Sequence, residues 1–449
     1  TKFEIQTYKL LKMKKIYLLA LTALTSIVSV KAQSPCATGR YATDTFTAVT
    51  TTSGIVYGSN KNSSGITQSL TMDIYQPTGD VETARPLLIL AHGGSFIGGS
   101  STDGDMVAIS NSFAKKGYVC ASINYRLGFF PFDSVNAVKA VLRAVQDMKA
   151  SIRFFYKDKL TSNTYKIDTN NIYIGGSSAG AITALHTAYL NKSCEINPYV
   201  NATTLATLGG MDGYSGNQCY SQNVKGVINI CGALGKYGWL EAGDIPFVSL
   251  HGTIDGTVKY SQGKAAPGGI GLLYMDGSRM LKQQANVLGI TNPFYTWYGA
   301  DHVPYSSNVL YMDSTINFIR DFLIARLGCT NPPILAPNTP FGTATLYAYT
   351  GCTVNVTQSC SVGLFEQSEN KVKFELYPNP SNSDVTLSFE SQNESHKIEI
   401  FDISGKLVNS SLVSHNTFTI NKNTLQTGVY FVKVTDNQGY YSVKRLLFL

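Results

Sequence analysis

A serine flanked by glycines stands at Gly176-Ser177-Ser178-Ala179-Gly180, a G-x-S-x-G string. The apolar run Ile172 to Gly175 precedes it and a helical pattern, Ala181 to Leu190, follows. Ser178 is therefore expected on a sharp strand-to-helix turn, where glycines two residues to either side remove Cβ atoms that would collide. The helix start behind it favours negative charge at a reacting centre. A serine hydroxyl becomes a useful nucleophile only when a base takes its proton and an acid orients that base. Candidates for both follow later strand ends. Asp255 comes four residues past the apolar run Phe247 to His251, and His302 follows the run Phe294 to Tyr298 in the same way. A lone Asp or His in a loop is more often a cap or a solvated group. Three such residues in the order Ser178, Asp255, His302, each after its own strand, make a set suited to acyl transfer through an acyl-serine intermediate.

Acyl transfer also needs N–H donors where oxyanion charge develops. The run Leu88 to Ala91 leads directly into His92-Gly93-Gly94, whose glycines let backbone approach a substrate closely. The N–H groups of Gly93, Gly94 and Ala179 are the candidate oxyanion hole, with His92 supporting the loop. A phosphate-binding loop is disfavoured because no Lys-Ser/Thr pair follows the glycines. Phe96, Phe129, Phe130 and Trp239 are the candidate walls of a mostly apolar substrate pocket. This chemistry needs no cofactor, and no metal site is expected, because none of the eight Cys has CxxC spacing and the six His are scattered.

The elements that would position these groups alternate between Cys36 and Leu327, apolar runs with helical patterns, as in a parallel sheet covered on both faces. The strand candidates are Leu70 to Tyr75, Leu87 to Ala91, Tyr118 to Tyr125, Ile172 to Gly175, Val224 to Ile230, Phe247 to His251 and Phe294 to Tyr298. The clearest helix runs from Ser134, its expected cap, to about Tyr156. Val138, Val141, Val145, Met148, Ile152 and Phe155 fall on one face at steps of three and four, and Lys139, Arg143 and Arg153 fall off it. The stretch Asn191 to Asn223, rich in Gly, Asn and Tyr, is a candidate lid. From Thr330 four prolines in ten residues favour an extended linker. Beyond it, Val385, Leu387 and Phe389, then Tyr430, Val432 and Val434, alternate as in short strands, with turns at Pro378-Asn379-Pro380 and Ser404-Gly405-Lys406. The expected fold is α/β, a doubly wound, mostly parallel sheet followed by a small all-β sandwich. The expected divisions are 1–32, an upstream extension and signal peptide; 33–329, the catalytic domain; 330–370, a Pro/Thr-rich linker; and 371–449, the β-sandwich.

Charge and cysteine usage bound the rest. Of the net +7 of the 449 residues, +5 belongs to residues 1–32, which hold six Lys against one Glu. What is left has no basic run to follow a phosphate backbone, so nucleic acid is not an expected partner. The basic front, the apolar core Leu18 to Val30 and the small residue Ala32 read as an export signal beginning at Met13, too short to span a bilayer. In an exported chain, cysteines can form bridges. The candidate pairs are Cys36 with Cys329, Cys194 with Cys219 and Cys352 with Cys360, whereas Cys120 and Cys231 lie in apolar runs and read as core thiols.

His92-Gly-Gly-Ser-Phe96, Ser122-Ile-Asn-Tyr-Arg-Leu-Gly128 and Gly176-Ser-Ser-Ala-Gly180 resemble the carboxylesterase and hormone-sensitive-lipase-like branch of the α/β-hydrolases, including secreted acetyl and feruloyl esterases. The resemblance covers roughly Leu70 to Leu327. It implies a secreted serine esterase acting on short-chain, aryl or polysaccharide-linked esters, or polyesters. Two departures stand out: Ser95 replaces a third oxyanion glycine, and Ser177 stands where many members carry an acid. A serine peptidase of the prolyl-oligopeptidase type shares the triad order, but the chain ahead of the hydrolase strands is too short for a propeller. A non-catalytic surface adhesin on a hydrolase fold usually lacks part of the triad. Leu376-Tyr-Pro-Asn-Pro-Ser381, Ile400-Phe-Asp-Ile-Ser-Gly-Lys406 and Leu425 to Val434 resemble the C-terminal sorting domains of Bacteroidota type IX secretion cargo, with a carbohydrate-binding sandwich as the competing reading. That resemblance implies export through the periplasm to the cell surface or beyond, with the secretion machinery as partner.

Overall fold

The computed structural model describes residues 35–352, 372–389, 395–403, 406–437 and 441–449; the leader at 1–32, Cys360 and the Ser404-Gly405 turn lie outside the described residues. Two units divide the chain, residues 1–358 and 359–449. In the first, strands β1 (Val49–Lys61), β2 (Thr67–Pro77), β3 (Arg85–Ala91), β4 (Val119–Ile123), β5 (Ile167–Ser177), β6 (Gly226–Ile230), β8 (Phe247–Gly252) and β11 (Phe294–Trp297) form one eight-stranded sheet in the order β1-β2-β4-β3-β5-β6-β8-β11. β1 and β2 run antiparallel to their neighbours and the other pairings are parallel. β7 (Ala233–Leu234), β9 (Gln262–Ala265) and β10 (Leu273–Gly277) make a small second sheet.

Burial on both faces explains why β3, β4, β6 and β8 read as largely apolar runs. Leu87, Ile89 and Ala91 face one core with helices α2 (Ser134–Leu160), α3 (Ala179–Tyr189) and α5 (Ser278–Leu288). Leu88 and Leu90 face the other, with α1 (Gly104–Lys115) and α6 (Val309–Arg326). That two-residue alternation is what a doubly wound sheet requires. α4 (Ala202–Thr207) is a short turn in the long β5–β6 connection.

Several expectations are corrected. Asp133, not Ser134, caps α2, its carboxylate accepting the Asn136 N–H at 2.8 Å, while the Ser134 hydroxyl donates to Leu272 O. Arg143 and Arg153 are buried although they lie off the apolar stripe. The reason is the segment 211–216, which covers that face of α2: Asp147 pairs with Arg126 at 2.8 Å and accepts from Ser215 Oγ at 2.6 Å, and Arg153 Nε donates to Gly216 O. This part of the candidate lid is thus a wall of the core. Cys36 bonds to Cys329, but Cys194 bonds to Cys352 rather than Cys219. The chain can make that bridge because residues 330–352, expected as linker, are laid along the first unit. There the Asn338 side chain donates to Thr296 O at 2.9 Å and accepts from Thr296 N–H at 2.7 Å, covering the free edge of β11, and Tyr347 OH donates to Asp276 at 2.6 Å.

In the second unit β12 (Phe374–Tyr377), β13 (Val385–Phe389) and β16 (Thr417–Ile420) form one antiparallel sheet. β14 (His396–Asp402), β15 (Leu407–Val413), β17 (Gly428–Thr435) and β18 (Tyr441–Phe448) form the other. Val385, Leu387, Ile398, Ile400, Val432 and Val434 fill the core of this β domain. No helix among the described residues is long and apolar enough to cross a membrane.

Candidate active site

Ser178 sits where β5 breaks into α3, with φ 52° and ψ −113°, a conformation that L residues rarely adopt. The turn holds because the chain beside it has no side chains. A Cβ on Gly176 would lie 2.3 Å from Ala91 O and one on Gly180 1.9 Å from the same oxygen. The Ser178 N–H donates to Ile230 O at 2.9 Å, fixing the turn to β6.

Ser178 Oγ lies 2.8 Å from His302 Nε2, and His302 Nδ1 lies 2.6 Å from Asp255 Oδ2. The carboxylate can only accept, so Nδ1 carries the proton and Nε2 presents its lone pair to the serine. Asp255 Oδ1 accepts from the Thr257 and Val258 N–H groups at 2.9 and 2.8 Å. Asp301 ties the two loops together, accepting from the Gly256 N–H at 2.8 Å and the His302 N–H at 2.7 Å. Sequence reasoning missed His251, which is fully buried in β8. Its Nε2 donates to Asp255 Oδ2 at 3.1 Å and to Val258 O at 2.9 Å, and its Nδ1 accepts from Ser278 Oγ at 2.8 Å. A histidine inside an apolar strand, four residues before the acid, was the available signal. Burial alone would raise the Asp255 carboxyl, but the hydrogen bonds from His251 and His302 outweigh it and hold the group well below the usual carboxylate range.

Cys231 is a buried thiol, and its sulfur, an Asp255 oxygen and a His302 nitrogen all lie within 4.8 Å of one another. Burial pushes that thiol well up. Ser177 turns away from the histidine, its Oγ 2.5 Å from Tyr305 OH.

The glycine turn after β3 is held from one side. The His92 ring stacks on Tyr125 with centroids 4.4 Å apart, and its Nδ1 donates to Gly93 O at 2.7 Å. Tyr125 OH donates to His92 O at 2.9 Å and to Gly93 O at 3.2 Å. In a trans peptide the C=O and the following N–H point in opposite directions. Fixing the two carbonyls against these rings therefore turns the Gly93 and Gly94 N–H groups the other way. Gly93 also abuts the nucleophile, since a Cβ there would lie 3.5 Å from Ser178 Cβ. Ala179 is the first residue of α3, whose N–H has no intrahelical acceptor.

A cavity opens at Ser178, lined by Phe96, Phe129, Val141, Ile182, Leu272 and Met275 among others. Phe130 does not join them: it is 81% exposed and meets Phe132 edge to face in the loop ahead of α2. Trp239 lines a neighbouring cavity instead.

Residues 72–267 match the BD-FAE family model, and residues 375–448 match the model described as Secretion system C-terminal sorting domain. Among curated proteins, neuroligin-like protein glit-1 of Caenorhabditis elegans is 27% identical over 114 residues, which cover 25% of this chain. The chain thus spans 15% of the length of that relative. Among solved structures, the apo form of Thermogutta terrifontis esterase 2 is 19% identical, with a TM-score of 0.45 over 62% of this chain and 95% of that one. The same esterase phosphorylated by paraoxon gives 19% identity and a TM-score of 0.45 over 64% and 97%. The sorting domain marks the chain for type IX export to the cell surface or beyond it. Residues 72–267 of the mostly parallel α/β unit are thus similar to the BD-FAE family, and residues 375–448 to secretion system C-terminal sorting domains.

Proposed function

We propose that this chain is an exported serine hydrolase of carboxylic esters, acting through an acyl-serine intermediate on short-chain, aryl or polysaccharide-linked esters. The observation that carries the reading is the unbroken hydrogen-bond chain from Ser178 Oγ to His302 to Asp255 at 2.8 and 2.6 Å. His302 Nε2 takes the hydroxyl proton as Oγ attacks the ester carbonyl, and the imidazolium that forms is stabilised by the ionised Asp255. The Gly93, Gly94 and Ala179 N–H groups receive the oxyanion, each worth roughly a hundredfold in rate. His302 returns its proton to the departing alcohol, then takes one from the water that releases the acid. Phe96, Phe129 and Ile182 surround the acyl group with apolar surface. Wild-type chain and Ser178→Ala compared on p-nitrophenyl acetate and on an aminoacyl p-nitroanilide test it. The reading expects ester turnover that the variant loses by up to about a millionfold. Preference for the anilide, or retention of most ester turnover by the variant, overturns it.

A further inference from the structure

A second cavity lies further along the same helix, and its walls are mostly apolar. Ile182 lines the cavity at Ser178, whereas His186 and Leu190 line the second one. His186 stands eight residues beyond Ser178, about 12 Å along the axis at the α-helical rise. Val141, Leu273 and Met275 line both spaces and so form the partition between them. Trp239, Tyr199 and Tyr349 supply aromatic surface beyond the partition. The far wall is pinned, because Cys194 and Cys352, which are bonded to each other, both line it. Much of the chamber's lining, from β10 and residues 349–352, falls outside the 72–267 segment that matches the family model.

From these relations we infer that the second chamber is a substrate subsite, holding the distal end of a medium-length alkyl acyl chain esterified to Ser178; the inference rests on the esterase reading and extends its acyl range beyond short chains. The first cavity takes the carbonyl end and the near methylenes, and the chain passes Met275 into the second. Methionine suits that position, since an unbranched thioether can change rotamer to let a chain by. At roughly 1.2 Å of reach per bond in an extended chain, about 12 Å requires about ten bonds, the span from Ser178 Oγ to the methyl of a decanoyl group. An extended chain fits because the basic and acidic side chains that also line the chamber, His186, Glu195 and Lys236, already have partners within the protein, Lys236 Nζ lying over the Tyr347 ring at 5.6 Å from its centroid. His186 is bonded to Ile182 O and the Gly235 N–H, and Glu195 to the Asn191 and Lys192 N–H groups.

The test labels the full-length chain with two alkyl phosphonofluoridates, one ethyl and one decyl with bromine on the terminal carbon. In each, Ser178 Oγ bonds to phosphorus and fluoride leaves with the serine proton as HF. The chain has two Trp, Trp239 in the chamber and Trp297 in the core on the other face of the sheet. The inference expects the bromodecyl adduct to quench fluorescence relative to the ethyl adduct, and Trp239→Phe to abolish the difference. Equal fluorescence of the two adducts overturns the chamber while leaving the esterase reading intact. No adduct on Ser178 with either reagent overturns both. As a second arm, Val138→Phe, which fills the chamber without lining the cavity at Ser178, is expected to lower the decanoate-to-acetate ratio of kcat/KM roughly tenfold, the worth of about two buried methylenes. A ratio within twofold of wild type contradicts the inference.

Discussion

His251 Nε2 lies 3.1 Å from Asp255 Oδ2, the same oxygen that His302 Nδ1 approaches at 2.6 Å, so one carboxylate oxygen is shared by two imidazoles. The buried His251 is itself fixed by Val258 O and Ser278 Oγ, and it cannot follow His302 if that ring moves. It positions the acid and does not touch the serine. Replacing it with Phe removes a hydrogen bond to a charged group, worth about 1.5 to 3 kcal/mol. His251→Phe is expected to lower kcat roughly tenfold or more with KM little changed, and to raise the Asp255 carboxyl, whereas His251→Gln recovers part of the loss. The kcat and KM of both variants across pH check this.

His186 carries a pH dependence of stability that is independent of catalysis. It is buried, with Nδ1 donating to Ile182 O at 2.7 Å and Nε2 accepting the Gly235 N–H at 3.2 Å, and burial lowers it from 6.5 to about 4. Because the folded pKa lies below the unfolded one, the unfolded chain binds more protons between these values. The contribution is therefore complete above pH 6.5 and is lost as pH falls through about 4, at most about 3 kcal/mol. Urea unfolding of His186→Gln should show a shallower fall in stability over that window than wild type does.

Gly180→Ala would put a methyl group 1.9 Å from Ala91 O, at the joint between β3 and the serine turn. Both partners are backbone, so neither can yield by changing rotamer. The expected outcome is a loss of about 3 kcal/mol in stability together with loss of esterase turnover. Thermal unfolding and turnover measured on the same sample check it.

Asp147 is fully buried and receives the Arg126 guanidinium, the Arg126 N–H and the Ser215 hydroxyl. Asp147→Ala leaves a buried cation without its partner, which costs about 3 to 5 kcal/mol. The denaturant midpoint should fall with little change in slope.

Sequence legibility followed the physics of burial. Seven strands of the large sheet were readable because buried residues leave largely apolar runs, continuous where both faces are packed, as in Leu87 to Ala91. β1 was not, because at the sheet edge its Thr50, Thr51 and Thr52 are exposed and carry no such signal. Ser178, Asp255 and His302 were readable because each follows a strand end in an expected order. Their convergence, and the part played by His251, depend on which strands become neighbours, and spacing along the chain does not encode that. Phe130 and Trp239 were named by residue type alone, and the structure places neither at Ser178. The bridge from Cys194 to Cys352 crosses 158 residues, a contact created by the packing of residues 330–352 on the first unit.

The central claim is that Ser178 is the nucleophile activated by His302. Mass spectrometry of the full-length chain after reaction with a fluorophosphonate, in parallel with Ser178→Ala and His302→Ala, tests it most directly. The account predicts one adduct, on the peptide containing Ser178, absent from the first variant and formed orders of magnitude more slowly in the second. A chain that hydrolyses esters while Ser178 stays unmodified, or that takes the adduct on another residue, contradicts it.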